Sequence, residues 1–527
     1  MIFSIRKDAP SHPFDKHWQF GIGSDHAAQL LRKDYCDHLK RVHDSLGICF
    51  VRFHGIFCDD MKTIQTFRDV LGMPGTESFR EFSFRKCGQV YDNVLDCGMK
   101  PFVELSFMPS QMARAEADPH VLYAANTNLP RDLKEWTAYI KSFVRYLLTR
   151  YGEEEVAQWY FEVWNEPDLY HPFFKGTQED YFELYRATAN AIKEVCPALR
   201  VGGPATSASH WIGDFVRFCR ENDVPVDFIS THQYAGDPFI GVDTSAGDSA
   251  PAVLTPEEQV EKNRTLLAQF EEGTPLLSIL REIFKDPTVD GRIDRDIFPK
   301  NAAITRQQAD GLPLFYDEWN LSASFSSYFN DTRKQAAYVV RTALNLEGLT
   351  EGTCVWCVSD IFEELHQFNE EFHGGFGLIS QGGIEKPTFF AMKMLAEAGA
   401  IRKDVEVSGD GSVEAAAFES DNETQVLLFR QSMKHEEGPK EAVTVRVELD
   451  RAPQAVNLQR IDETHCNPLK LWEDMGCPAD MTREALADLR ARSTMIDEMP
   501  EFSYSDGVLI CEVSLGVNDI YFLRITR

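Results

Sequence analysis

Between about residues 17 and 400, short runs of β-branched and aromatic residues alternate with longer stretches in which apolar positions recur every three or four residues. Alternation between a period of two and a period of 3.6 is the pattern of repeated βα units. The short runs predict strands over residues 18–22, 49–54, 101–106, 158–164, 199–203, 227–232, 313–316 and 353–358. The longer stretches predict helices over 33–46, 132–151, 178–195, 211–222, 256–272 and 333–346. Asp132 with Glu135 three residues on forms a capping pair, and Gly152 stands where the long helix should stop. Eight strands make a closed (β/α)8 TIM barrel of the α/β class. A doubly wound sheet could use the same units, but no glycine-rich phosphate loop follows an early strand.

After Gly399 the period shortens to two: 413–418, 425–430, 442–449, 508–513 and 520–525 read as strands separated by Gly, Asp and Asn turns. This is an antiparallel sandwich pattern, completed by an N-terminal strand over 2–6. A helical stretch near 467–493 interrupts it. The expected organisation is a catalytic barrel over 14–398, with an accessory β-sandwich made of 1–13 and 399–527. A chain of 527 residues exceeds what one hydrophobic core accommodates, which agrees with a large domain plus a smaller one.

Composition narrows the class of partner. A formal charge of -30, with no long run of Lys or Arg, excludes nucleic acid and anionic membrane surfaces as expected partners. No segment approaches the roughly 20 apolar residues that span a bilayer, and the N-terminus lacks the pattern of a secretory leader, so a cytoplasmic location is expected. The twelve cysteines form no paired framework. Cys354-Val355-Trp356-Cys357 has CxxC spacing but lies in an apolar run without a second pair or nearby histidines. It reads as packed, reduced thiols.

Candidate chemistry sits at the strand ends. Phe161-Glu162-Val163-Trp164-Asn165-Glu166-Pro167 places an Asn-Glu pair where Pro167 stops a strand, and Phe315-Tyr316-Asp317-Glu318-Trp319-Asn320 repeats the arrangement downstream. Barrel enzymes hold their reactive groups at the C-terminal ends of strands. Two carboxylates are what glycoside hydrolysis requires: an acid at the leaving oxygen and an anion near the anomeric carbon. Glu166, between Trp164 and Pro167, suits the acid, because desolvation raises a carboxyl pKa. Asn165 can donate to a sugar hydroxyl. Glu318 suits the nucleophile, with Arg52, His232 and Tyr234 at other predicted strand ends as the donors that keep it ionised.

The chain resembles family 39 of the glycoside hydrolases, the β-xylosidase and α-L-iduronidase family. The resemblance rests on Val51-Arg52-Phe53-His54-Gly55-Ile56, Lys100 to Pro109, Trp164-Asn165-Glu166-Pro167-Asp168-Leu169, Glu318-Trp319-Asn320, Ser359 to Glu364 and Phe372-His373-Gly374-Gly375-Phe376-Gly377-Leu378. These blocks run in order through most of the barrel, with the closer likeness to the bacterial β-xylosidases. The resemblance implies a retaining mechanism, with Glu166 as acid/base and Glu318 as nucleophile. It further implies that Asn165 binds the 2-hydroxyl, Tyr234 orients Glu318, and His54, His232 and Glu364 hold hydroxyls of the terminal sugar, while Trp356 walls the pocket. No metal and no cofactor is implied.

Two departures from the family pattern stand out. Asp317 precedes Glu318 where Thr is usual, and strand alternation should turn its side chain away from the site. Gly21-Ile22-Gly23-Ser24-Asp25-His26 carries Asp-His where relatives show a basic or small pair. The expected activity is that of an exo-acting β-D-xylosidase on xylo-oligosaccharides. The alternatives are the same mechanism on another sugar, α-L-iduronidase-like or α-L-arabinopyranosidase-like, and a catalytically silent carbohydrate-binding barrel. A homo-oligomer is expected. The loop over 236–250 is among the segments expected to shape the substrate's far end.

Overall fold

A computed structural model describes residues 1–76, 79–117, 123, 125–170, 172–241, 261, 264–283, 293–364, 368–434 and 438–527. Of the expected helix over 256–272, only 261 and 264–272 are described, and of the loop over 236–250, only 236–241.

Eight parallel strands close into a barrel: Gly21–His26, Phe50–His54, Lys100–Glu104, Tyr160–Glu162, Arg200–Thr206, Phe228–Tyr234, Leu314–Asn320 and Gly352–Val355. The first begins three residues later than expected. His17–Gln19 instead forms a 3-10 turn that buries Trp18 beneath it. The helices Lys33–Leu46, Leu133–Tyr151, Gln178–Val195, Ile212–Glu221 and Arg333–Asn345 lie where the 3.6 periodicity put them. Asp132 caps its helix by accepting from the Lys134 amide, and Thr177 with Asp180 makes a capping box on the next. Further helices not predicted from the sequence include Arg85–Asp96, Ile297–Gln308 and Pro387–Glu397. Pro387–Glu397 is buried nearly all round, so its apolar positions show no stripe.

The accessory sandwich has two sheets. One orders Ala455–Ile461, Ile520–Thr526, Glu423–Phe429, Glu414–Glu419, Ile401–Lys403 and Ser11–Pro13. The other orders Glu406–Ser408, Ile2–Ile5, Glu441–Glu448, Val508–Leu515 and Phe502–Ser505. Ile2–Ile5 pairs parallel with Glu441–Glu448, a departure from the expected antiparallel pattern; no hairpin ties the two strands, so neither direction is imposed. Val426 and Leu428 face the sandwich core, whereas Leu427, Phe429, Phe418 and Phe522 join the barrel core. A sheet covered on both faces needs continuous apolar runs, which is how Val426-Leu427-Leu428-Phe429 reads. The helical interruption consists of Pro468–Asp474 and Arg483–Arg492.

At the N-terminal end of the barrel Phe20, Phe50, Phe102, Tyr160, Phe228 and Phe315 pack ring against ring, for example Phe20 on Phe315 at 4.6 Å and Phe50 on Phe20 at 4.8 Å. Rings from opposite strands meet here, so the barrel is shut at this end.

Candidate active site

Side chains alternate along a strand, so the residue two positions beyond each plugging ring also points inward. Those residues are Arg52 after Phe50, Glu104 after Phe102, Glu162 after Tyr160, Ser230 after Phe228 and Asp317 after Phe315. The second layer is therefore charged. Arg52, fully buried, sends Nε to Glu162 Oε2 at 2.7 Å, Nη2 to Glu104 Oε2 and to Asn165 Oδ1, each at 2.9 Å, and Nη1 to Glu318 Oε2 at 3.3 Å.

The expectation that Asp317 turns away is overturned: its Oδ2 lies 3.0 Å from Arg52 Nε, and Glu318 also faces inward. Alternation from Phe315 carries Asp317 inward, and a register shift adds Glu318. Thr231 pairs with Tyr316 and His232 with Glu318, so Asp317 is an extra residue on the seventh strand. A bulge of this kind breaks the alternation and aims two successive carboxylates at one interior.

Glu318 receives the Tyr234 hydroxyl on Oε1 at 2.7 Å, besides Arg52 on Oε2. His54 Nε2 lies 3.9 Å and His232 Nδ1 3.7 Å from Oε2. Glu166 is in a tight turn just past the fourth strand, with positive φ at Trp164 (75°) and at Glu166 itself (41°). Left-handed backbone at bulky residues is costly and persists only where surroundings hold it. Here the Glu166 amide donates to the Ala205 carbonyl at 2.8 Å and the Trp164 indole to the Phe173 carbonyl at 2.9 Å. Glu166 Oε1 is 2.8 Å from His232 Nδ1. One atom each of Glu166, His232 and Glu318 lies within 4.8 Å of the other two.

Burial, reinforced by the charge of Asp168, pushes the Glu166 carboxyl up to about 8. Burial likewise pushes Glu364 to about 8, against the pull of His54. His54 is also pressed down by burial, but Glu104, bonded to its Nδ1 at 2.7 Å, more than reverses this and raises it to about 9. Burial takes His232 down to about 4. The site at neutral pH thus holds a protonated Glu166 beside a neutral His232, and a charged His54.

Trp356 stands 4.9 Å from the His54 ring, its backbone carbonyl held by the Asn320 amide. Gly23 is required opposite it, because a Cβ there would lie 2.4 Å from the indole. The loop carrying Glu364 is pinned from below. Lys386, fully buried, bridges Asp331 and Asp360 at 2.6 Å each, Gly377 donates to Asp360, and Gly374 donates to Asp331, each at 2.7 Å. The glycines of 372–378 thus serve close packing. His26 lies 3.0 Å from Glu363 Oε2 and stacks on Tyr123 at 4.0 Å, tying the same loop to the first strand.

All eight anticipated residues, His54, Asn165, Glu166, His232, Tyr234, Glu318, Trp356 and Glu364, meet at the C-terminal end of the barrel. Sequence reasoning missed Glu104, Glu162 and the inward aim of Asp317. The signal for the first two was present: an aromatic residue, one intervening position and a charged residue recur on several strands. All twelve cysteines are free, and Cys354 and Cys357 are buried.

A profile for "Glycosyl hydrolases family 39" matches residues 1–278 and 296–509. A β-xylosidase of Caldicellulosiruptor saccharolyticus is 35% identical over 488 residues, covering 92% of this chain and 90% of the relative. One from Geobacillus stearothermophilus is 31% identical over 523 residues, 98% and 93% of the two chains. The crystal structure of a monomeric β-xylosidase from Caulobacter crescentus CB15 superposes with a TM-score of 0.79 at 27% identity, covering 100% of this chain and 99% of the other.

Proposed function

Since the chain belongs to family 39 of the glycosyl hydrolases and is a glycoside hydrolase, we propose that it is a retaining, exo-acting β-D-xylosidase that releases xylose from non-reducing ends of xylo-oligosaccharides. The observation that carries this reading is the approach of a Glu166 and a Glu318 carboxyl oxygen to within 4.8 Å. Retaining enzymes keep their carboxyl groups about 5–5.5 Å apart, whereas inverting ones leave about 6.5–9.5 Å for a water.

In the first step Glu318 attacks the anomeric carbon and forms an ester, the glycosidic C–O bond breaks, and Glu166 gives its proton to the leaving oxygen. Protonation at neutral pH suits Glu166 to that role. In the second step Glu166, now a carboxylate, takes a proton from water. The water oxygen attacks the anomeric carbon and Glu318 departs. Tyr234 and Arg52 hold Glu318. Asn165, itself anchored by Arg52, binds the 2-hydroxyl. His54, His232 and Glu364 take the remaining hydroxyls, and Trp356 covers the apolar ring face.

The two catalytic groups are tested by replacing Glu166 and Glu318 separately by Gln and measuring turnover of an aryl β-xyloside. Both rates must collapse, and near-native turnover in either variant rejects the assignment. Azide should restore Glu166→Gln on an activated substrate and yield the β-azide. A panel of aryl glycosides tests the sugar: xylosides should be turned over fastest, and preference for a uronide would replace xylose. A silent sugar-binding barrel would show no covalent fluoro-sugar adduct on a peptide containing Glu318. The same reading takes 14–398 as the catalytic unit, 1–13 with 399–527 as the accessory domain, and a homo-oligomer in solution, which light scattering at micromolar concentration tests. Among the described residues no helix is long and apolar enough to cross a membrane.

A further inference from the structure

Asp317 is the departure that the proposed mechanism leaves unused, and its surroundings are unusual. It is fully buried, and neither its carboxyl oxygens nor Glu162 Oε1 receives a well-aligned hydrogen bond, although the Ser230 hydroxyl lies close to Glu162 and the Asp317 amide close to its own carboxyl. The Arg52 Nε hydrogen points at Glu162 Oε2, 2.7 Å away, even though Asp317 Oδ2 is only 3.0 Å from the same nitrogen. Asp317 and Glu162 are nevertheless within hydrogen-bonding contact of one another. Two carboxyl groups can share a hydrogen bond only if one of them carries a proton. The other groups facing Asp317 are His232, whose unpartnered Nε2 is 3.7 Å from Oδ1, and the buried Cys354 thiol of the eighth strand.

Charge counting leads to the same place. Four carboxyl groups, Glu104, Glu162, Asp317 and Glu318, surround Arg52 and His54. Were all four ionised, this buried cluster would hold two uncompensated negative charges, and a second anion next to the nucleophile would oppose its ionisation. With one proton on the Asp317–Glu162 pair, a single negative charge is left over, and Glu318 can carry it.

We propose that Asp317 is a neutral carboxylic acid that donates its proton to Glu162, and that it is a positioning residue which reserves the site's one uncompensated negative charge for Glu318. Burial and the adjacent Glu162 anion both favour the proton on Asp317, while Arg52 keeps Glu162 ionised. The bulge is what lets Asp317 and Glu318 face the same interior, so this device belongs to the seventh strand of this chain. The inference rests on Glu318 as nucleophile for its purpose, but not for its chemistry.

The test compares Asp317→Asn, whose amide reproduces a neutral donor, with the unaltered protein. Infrared difference spectra at pH 9, above the Glu166 and Glu364 transitions at about 8, should show that the substitution removes one protonated-carboxyl carbonyl stretch. On an aryl glycoside, kcat/KM should stay within about threefold, and the acidic limb of its pH profile within about 0.3 unit, because one neutral group replaces another. Retention of the carbonyl band, or movement of the acidic limb to lower pH by about a unit or more, overturns the proposal, since only an ionised Asp317 would oppose Glu318. Glu162→Gln gives a second route should Asp317→Asn not fold. With the neighbouring anion gone, Asp317 should give up its proton at lower pH, so the band should disappear earlier in a pH titration than in the unaltered protein, and an unchanged titration is a refutation. The infrared result needs no substrate, so it stands apart from any failure of the β-xylosidase reading.

Discussion

The two ends of the barrel are built from the same strands and the same inward positions, two residues apart, yet one end is shut by rings and the other is lined with charges. At the N-terminal end six aromatic rings pack against one another, with the Arg200 guanidinium lying over the Tyr160 ring. At the C-terminal end the matching positions hold one guanidinium and several carboxyl groups, each compensating another's desolvation. The difference teaches that a layer of rings tolerates loss of a member as a cavity, whereas a layer of charges responds to such a loss by changing protonation.

The largest expected contrast is in turnover. Glu318→Gln should lower kcat by at least about 10³-fold, while Phe315→Leu, three residues earlier on the same strand, should leave kcat within about threefold, both read by steady-state kinetics. Parity between the two would erase the functional distinction between the ends. Next comes stability. Arg52→Met and Phe102→Ala should each cost about 3–5 kcal/mol in denaturant unfolding, for different reasons. The Arg52→Met deficit should shrink on going from pH 8 to pH 5, because the stranded carboxylates can take up protons, whereas the Phe102→Ala deficit should not change.

A smaller effect concerns pH and rate. Glu166 must be protonated to act as the acid and titrates at about 8, so kcat/KM should fall about tenfold per unit above pH 8. A flat profile to pH 10 would remove Glu166 from that role. The smallest is the pH dependence of stability. His54 titrates at about 9 when folded against an ordinary 6.5, so its contribution is complete below pH 6.5 and disappears as pH rises through 9. Glu166 and Glu364, raised from 4.5 to about 8, act in the same direction, since above pH 4.5 the folded chain binds protons that the unfolded chain has released. Thermal midpoints should therefore decline from pH 6.5 to 9. His54→Asn should flatten that decline, and Phe228→Leu should leave its slope unchanged.

Much of the architecture follows from local pattern. Eight short apolar runs separated by amphipathic stretches become eight barrel strands, and the alternation after Gly399 becomes a sandwich. Both periods are properties of neighbouring residues along the chain, so they survive without knowledge of what packs against what. Glu166 and Glu318 were legible for the same reason, each lying in a contiguous block with an aromatic partner and a strand end.

What depended on pairing between distant segments was not legible. The direction of Ile2–Ile5 is decided by its contact with Glu441–Glu448, more than 400 residues away. That Glu318 shares the inner face with Asp317 is decided by where Thr231 and His232 meet the seventh strand. From the sequence alone came the eight barrel strands, about half of the sandwich strands and the two carboxylates. Only the tertiary structure decided which other charges share their interior, because a one-residue shift in register moves a side chain from one face of a strand to the other, and no local pattern records it.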